Sequence, residues 1–355
     1  MNRPLIAAAL LGAWLAAGPA RATPSIWQRA RQPSAAAQQT ILNRIERLLG
    51  SLGLAEFDAE LSAGAIALMQ LGRLGWPCLP PPGSASGTGP SPAPVLGPEV
   101  VLDPRLEYLV GGALLDSHAG REPEARCMLE RALRAAPNSP LAARGLADLA
   151  IAAAKMGDRE AERAAYVRAL ELTWEPDSRA NLLANLAESE MALGDLSRAV
   201  RGYRNALSSS QQPELLAGAY FGLAVALDRS GDLPSALEAA KRALAVQLPR
   251  RLFAAGNVLD LPNVFFMPSY ELHYYKALGA MATAQQAKDD LARRDALADA
   301  SEQWTRYLVP AEADHARFAP RAALHQASVA RQLAEITAKL PKNGRQKPAQ
   351  DVPLL

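Results

Sequence analysis

Gly120, Gly157, Gly194 and Gly231 stand 37 residues apart, and this fixed interval constrains the fold more than any other feature of the sequence. A period of that length means one supersecondary unit written several times over. Each glycine opens a short polar turn, reading GREPEA, GDREAE, GDLSRA and GDLPSA in chain order. Similar residues follow each turn at similar offsets. Ala125, Glu162, Ala199 and Ala236 come first, then Leu129, Tyr166, Tyr203 and Ala240, then Ala132, Ala169, Ala206 and Ala243. The residues before each turn also align: Leu109, Leu146, Leu183 and Tyr220; Gly112, Leu149, Leu186 and Leu223; and the small Ala113, Ala150, Ala187 and Ala224. Spacings of three and four mark one apolar face of a helix. Each unit is therefore a helix, a glycine turn, a second helix and a connector, with small residues where the two helices approach closely. Aromatics make up only 5% of the chain, which suits closely packed helices better than a sandwich or barrel.

This order of bulky, bulky, small and then small, aromatic, small resembles the tetratricopeptide repeat family over residues 106–250. The resemblance implies an all-α fold: a right-handed α-solenoid of antiparallel helix pairs with helical caps. Four repeats occupy 104–250. Their connectors, APNSP, TWEPDS and SSSQQPE, absorb about three residues beyond the family's usual length, and Pro137 and Pro176 are read as helix stops.

The flanks depart from the period. Residues 23–76 are expected to form an N-terminal helical cap, because a terminal repeat must cover its apolar face. The stretch 77–98 holds eight Pro and four Gly, so 77–103 is read as a loop. Residues 251–269 form an aromatic insertion, and six of the chain's 19 aromatics fall within 253–275. A fifth, degenerate repeat and a capping helix are expected over 270–340. In that repeat Tyr275, Leu278, Gly279 and Ala282 match the first helix, and Ala300, Trp304 and Tyr307 match the second. The turn between them is predicted to be about nine residues longer, and the last helix to run over 313–339. The tail 341–355 is expected to be disordered.

The first 22 residues read as a secretory signal. Leu5 to Ala17 is apolar and uncharged, Gly18-Pro19 breaks it, and Ala20-Arg21-Ala22 ends in small residues at the cleavage positions. The run is too short to cross about 30 Å of hydrocarbon, and no stable membrane insertion is expected after cleavage. The Ala- and Arg-rich composition fits a GC-rich bacterial genome, so the destination is read as the periplasm. In that oxidising compartment Cys78 and Cys127 could pair. Such a bridge would close a loop of about 50 residues and add roughly 3–4 kcal/mol in the chain-entropy picture.

Sequence motifs for catalysis are missing. The chain has four histidines, His118, His273, His315 and His325, and no HExxH or CxxC spacing, so neither a metal site nor a cofactor is expected. There is no GxSxG, P-loop or GxGxxG. Asp289-Asp290 are neighbours on a polar face, and adjacent carboxylates on a helix do not face each other. No enzyme activity is expected. A net charge of +2, from 38 basic and 36 acidic residues, excludes a globally basic nucleic-acid binder, and no nucleic-acid partner is expected.

The resemblance implies a binding role instead. In tetratricopeptide repeats the ligand-facing positions are those of the first helix outside the packing pattern. Here these include Arg144 and Asp148 in the second unit, Asn181, Asn185 and Glu188 in the third, and Phe221 and Arg229 in the fourth. The two asparagine amides could hold the backbone of an extended protein or peptide partner, and the arginines could grip a carboxylate. Phe253, Phe265, Phe266, Tyr270 and Tyr274 form a second candidate interface. Self-association through the outer face or the ends is the alternative role.

Overall fold

The structure, a computed structural model, describes residues 122–248, 257–261 and 264–340, together with positions 104, 107, 108, 111, 112 and 115. The expected signal, N-terminal cap, Pro/Gly-rich loop and C-terminal tail lie outside the described residues, as do Cys78, Gly120 and Phe253. Among the described residues every regular element is helical. The chain divides into two compact units at Thr173–Trp174.

The first unit contains α1 (Glu122–Ala135), α2 (Ala142–Lys155) and α3 (Arg159–Leu172). The second contains α4 (Pro176–Leu193), α5 (Leu196–Ser209), α6 (Pro213–Arg229), α7 (Leu233–Ala245), a 3-10 turn (Val258–Asp260), α8 (Glu271–Gln286), α9 (Asp290–Ala313) and α10 (Ala319–Lys339). Consecutive helices pack as antiparallel pairs, α2 with α3, α4 with α5, α6 with α7 and α8 with α9, and α10 closes the last pair against α9. The repeat period therefore gave the correct architecture.

The Gly-Asp dipeptide explains how each pair turns. Gly157, Gly194 and Gly231 have φ of +78°, +90° and +102°, a left-handed conformation that a side chain resists. The following N–H groups, of Asp158, Asp195 and Asp232, donate back to the carbonyls of Ala153, Glu190 and Leu227 at 2.9, 2.8 and 3.0 Å. This is the Schellman closure of a helix. The same aspartates then start the next helix, their carboxylates each accepting at 3.1 Å from Ala161, Arg198 and Ser235 N–H. One dipeptide thus ends one helix and begins its partner.

The aligned small residues are where the pairs meet. Ala125, Ala132, Ala150, Ala169, Ala187, Ala199, Ala206, Ala224 and Ala236 are wholly buried. Glycine takes the tightest crossings: a Cβ on Gly222 would lie 2.3 Å from the Tyr203 ring, and one on Gly145 would lie 2.3 Å from Tyr108.

Three expectations are corrected. Pro176 does not stop a helix; it is the first residue of α4, where its missing N–H costs nothing, and Glu175 accepts from the N–H groups of Asp177 and Ser178. The nine extra residues of the fifth repeat do not lengthen its turn. They extend α9, which begins at Asp290 under an Asp289 cap bonded to Ala292 N–H at 2.8 Å, because eight of the eleven residues in DLARRDALADA are the strong helix formers Ala, Leu and Arg. The last helix begins at Ala319 rather than 313, since α9 runs through Pro310 to Ala313 and His315 turns the chain with φ of +52°.

Candidate functional site

In the first unit Arg144 is exposed on α2, with its Nε 3.8 Å from Asp148 one turn along. Asp148 is half-buried, and its Oδ2 lies 2.9 Å from where a Cβ on Gly112 would stand. In the same unit Glu107 is buried and pairs with Arg131 at 3.1 Å. Cys127 in α1 is engaged in a disulfide bond.

In the second unit Asn181 is exposed and Asn185 half-buried, one turn apart on α4, and neither amide is hydrogen-bonded to a described residue. Glu188, the next residue on that face, is committed inward. Its Oε2 accepts from the Tyr203 hydroxyl on α5 at 2.5 Å and from the Tyr275 hydroxyl on α8 at 2.5 Å. Burial pushes both phenols well above their ordinary values, so they stay protonated donors, and the carboxylate beside them adds to the shift.

On α6 every residue from Phe221 to Arg229 is buried. Phe221 packs under α8, its ring 3.3 Å from where a Cβ on Gly279 would stand. Arg229 forms an ion pair with Glu271 of α8, and its guanidinium lies 4.7 Å from the centre of the Tyr274 ring and 4.3 Å from that of Phe318. Stacking between rings suits a guanidinium, which is weakly hydrated and always charged. Burial opposes its charge, but Glu271 and the surrounding phenols outweigh that and raise its pKa.

Asp228, fully buried beside it, gathers three donors from two later helices. The Tyr274 hydroxyl lies at 2.5 Å, His325 Nε2 at 2.9 Å and Arg321 Nε at 3.3 Å. Burial would raise this carboxyl; the hydrogen bond and charge of His325, with Tyr274 and Arg321, overcome it and hold the pKa below its ordinary value. The ring of His325 lies against Trp304, centroids 5.3 Å apart. Nearby, Arg317 donates to the Leu193 carbonyl at 3.2 Å, meeting one of the unpaired carbonyls that end α4.

The aromatic segment divides. Tyr274 is fully buried, edge-on to Trp304 at 4.8 Å and to Tyr307 at 5.0 Å. Tyr270 is half-buried with its edge toward Tyr307 at 5.6 Å, and burial together with Asp314 pushes its phenol up to about 12. Phe266 is half-buried edge-on to Tyr275, whereas Phe265 is 43% exposed. The sequence-predicted residues thus separate into those at least partly open to solvent, among them Arg144, Asn181, Asn185 and Phe265, and those built into the interior. Sequence reasoning missed the partners supplied by Glu271, Phe318, Arg321 and His325. A readable signal existed: Asp228-Arg229 ends a long apolar run, and charges there need buried partners.

Among the described residues no group of three or more His, Cys, Asp or Glu side chains could hold a metal ion. No described helix is long and apolar enough to cross a membrane.

No family model matches the chain, and no curated protein matches it. Among solved structures, the crystal structure of MamA aligns over 57% of this chain and 96% of its own, at 14% identity and a TM-score of 0.37. The human IFIT1 dimer with m7Gppp-AAAA aligns over 95% of this chain and 72% of its own, at 16% identity and a TM-score of 0.40.

Proposed function

We propose that the protein is a non-catalytic scaffold of the bacterial cell envelope that binds a protein or peptide partner on the first helices of its repeats. The observation that carries this reading is on α4. Asn181 and Asn185 present two amides one turn apart that no described residue hydrogen-bonds, on a helix whose next inner residue, Glu188, is locked by two tyrosines. Each amide both donates and accepts, which suits the backbone of an extended segment. The equivalent stretch of α6 is filled by the chain's own side chains, so within the second unit the binding face narrows to α4. The signal-like first 22 residues support export, and the pairing of Cys127 fits an oxidising compartment.

The test is affinity capture from envelope extract with the full chain beside Asn181→Ala/Asn185→Ala, after circular dichroism confirms equal helicity. A partner retained by the parent and lost by the variant is expected. Equal recovery by both refutes the α4 face.

Self-association is a second reading, favoured by Val309 on α9 and Leu324 on α10, each 70% exposed. Light scattering across concentration decides it; a constant monomer mass removes it.

A further inference from the structure

Helices α7, α8, α9 and α10 of the second unit leave a cavity of about 110 Å³ between them. Its apolar walls come from Leu237, Met281, Leu297 and Val329, all buried. Two ionisable side chains line it, His325 and Arg293, and no carboxylate does. His325 is 7% exposed and its Nε2 is fixed by Asp228, so its ring is a rigid part of the wall. Arg293 stands in the first turn of α9, exposed; its backbone N–H donates to the Asp289 carbonyl at 3.1 Å, and its guanidinium makes no ion pair or hydrogen bond to a described residue. Gln285, Ser328 and Gln332 add polar groups to the lining. A guanidinium is charged at any ordinary pH, so the cavity carries a positive charge that no lining carboxylate offsets.

We propose that this cavity is a binding site for a branched aliphatic carboxylate, with the hydrocarbon between Leu237, Met281, Leu297 and Val329 and the carboxylate on Arg293. Size and charge together set the class. The volume is roughly that of four liquid waters, enough for a branched group of about four or five carbons and too small for a long acyl chain. The fork of Arg293 matches a carboxylate, and a cation would meet like charge there. The same chemistry is offered by a free short branched acid and by the last residue of a peptide ending in leucine. The site is separate from the α4 face and does not depend on the scaffold reading.

The full chain, labelled at methionine methyls, is titrated with isovalerate, with a leucine-ending peptide and its C-terminal amide, with isopentanol and with isopentylamine. Met281→Leu identifies the Met281 methyl signal. A saturable shift of that signal with isovalerate assigns a free acid; a shift with the peptide alone, lost on amidation, assigns a chain end. In Arg293→Gln, whose exposed position leaves the fold intact by circular dichroism, the acid is expected to bind about tenfold more weakly, the loss of one hydrogen-bonded charge, while isopentanol is unchanged. Arg293→Lys should restore part of the affinity. No saturable shift with either acid, equal binding of isopentylamine, or unchanged acid binding in Arg293→Gln overturns the proposal.

Discussion

Replacing Asp228 by Asn keeps the side chain's size and removes its charge. The carboxylate is fully buried and accepts from Tyr274, His325 and Arg321, which reach it from α8 and α10. An amide offers one oxygen and presents an NH2 to at least one of those donors, and Arg321 loses its counter-charge inside the protein. Breaking a buried pair by removing one partner costs about 3–5 kcal/mol, a large share of a domain's typical 5–15 kcal/mol. At about 2–4 °C per kcal/mol for a domain of 150–250 residues, the melting midpoint should fall by roughly 6–20 °C, read by circular dichroism. The effect has a defined pH dependence. The folded Asp228 carboxyl is held below its unfolded value of about 3.9, so its contribution is fully present above that value and is lost as pH falls through the folded one. The gap between parent and variant should therefore close in acid below about pH 4. A variant within about 0.5 kcal/mol of the parent at pH 7, the range of an ordinary surface change, would refute the claim that this carboxylate ties α10 to α6.

Four further substitutions test other parts of the structure. Gly222→Ala places a Cβ 2.3 Å from the Tyr203 ring and should cost about 1–3 kcal/mol as overpacking in urea titration; a neutral result would mean the ring has room to move. Gly231→Ala forces a side chain to φ of +102° and should cost about 1–2 kcal/mol, while Ser230→Ala next to it should cost less in the same assay. Trp174→Ser removes a side chain that is 89% exposed, and stability should change by no more than about 0.5 kcal/mol; a larger loss would mean the indole is buried.

The helix pairs were legible because their determinants are local. Gly157, Asp158 and Ala161 act within a few residues, and a strict 37-residue interval repeats them. The buried polar cluster was not legible, because its members share no period. Tyr274 lies 46 residues from Asp228 and His325 lies 97, and nothing in an alanine-rich helix marks one histidine as the ligand of a distant carboxylate. Phe221 and Arg229 were read as ligand-facing, yet both are buried, because which faces stay open depends on what later segments cover. Phe318, Arg321 and His325 cover α6; among the described residues nothing hydrogen-bonds the amides on α4. Pro176 shows a third kind of miss: a proline after a connector closes one helix or opens the next, and a short sequence window does not distinguish them.

The Gly-Asp turns also set an order of events in time. Each closes contacts only three to five residues apart, so a helix pair can form as soon as its own segment is available, at little loop-closure cost. Asp228 must wait for a histidine 97 residues further on, a contact of the long-range kind that slows folding. The turns should acquire protection from solvent exchange early, and α6 should bury its carboxylate only when the last helix arrives, making completion of the chain the step that locks the second unit.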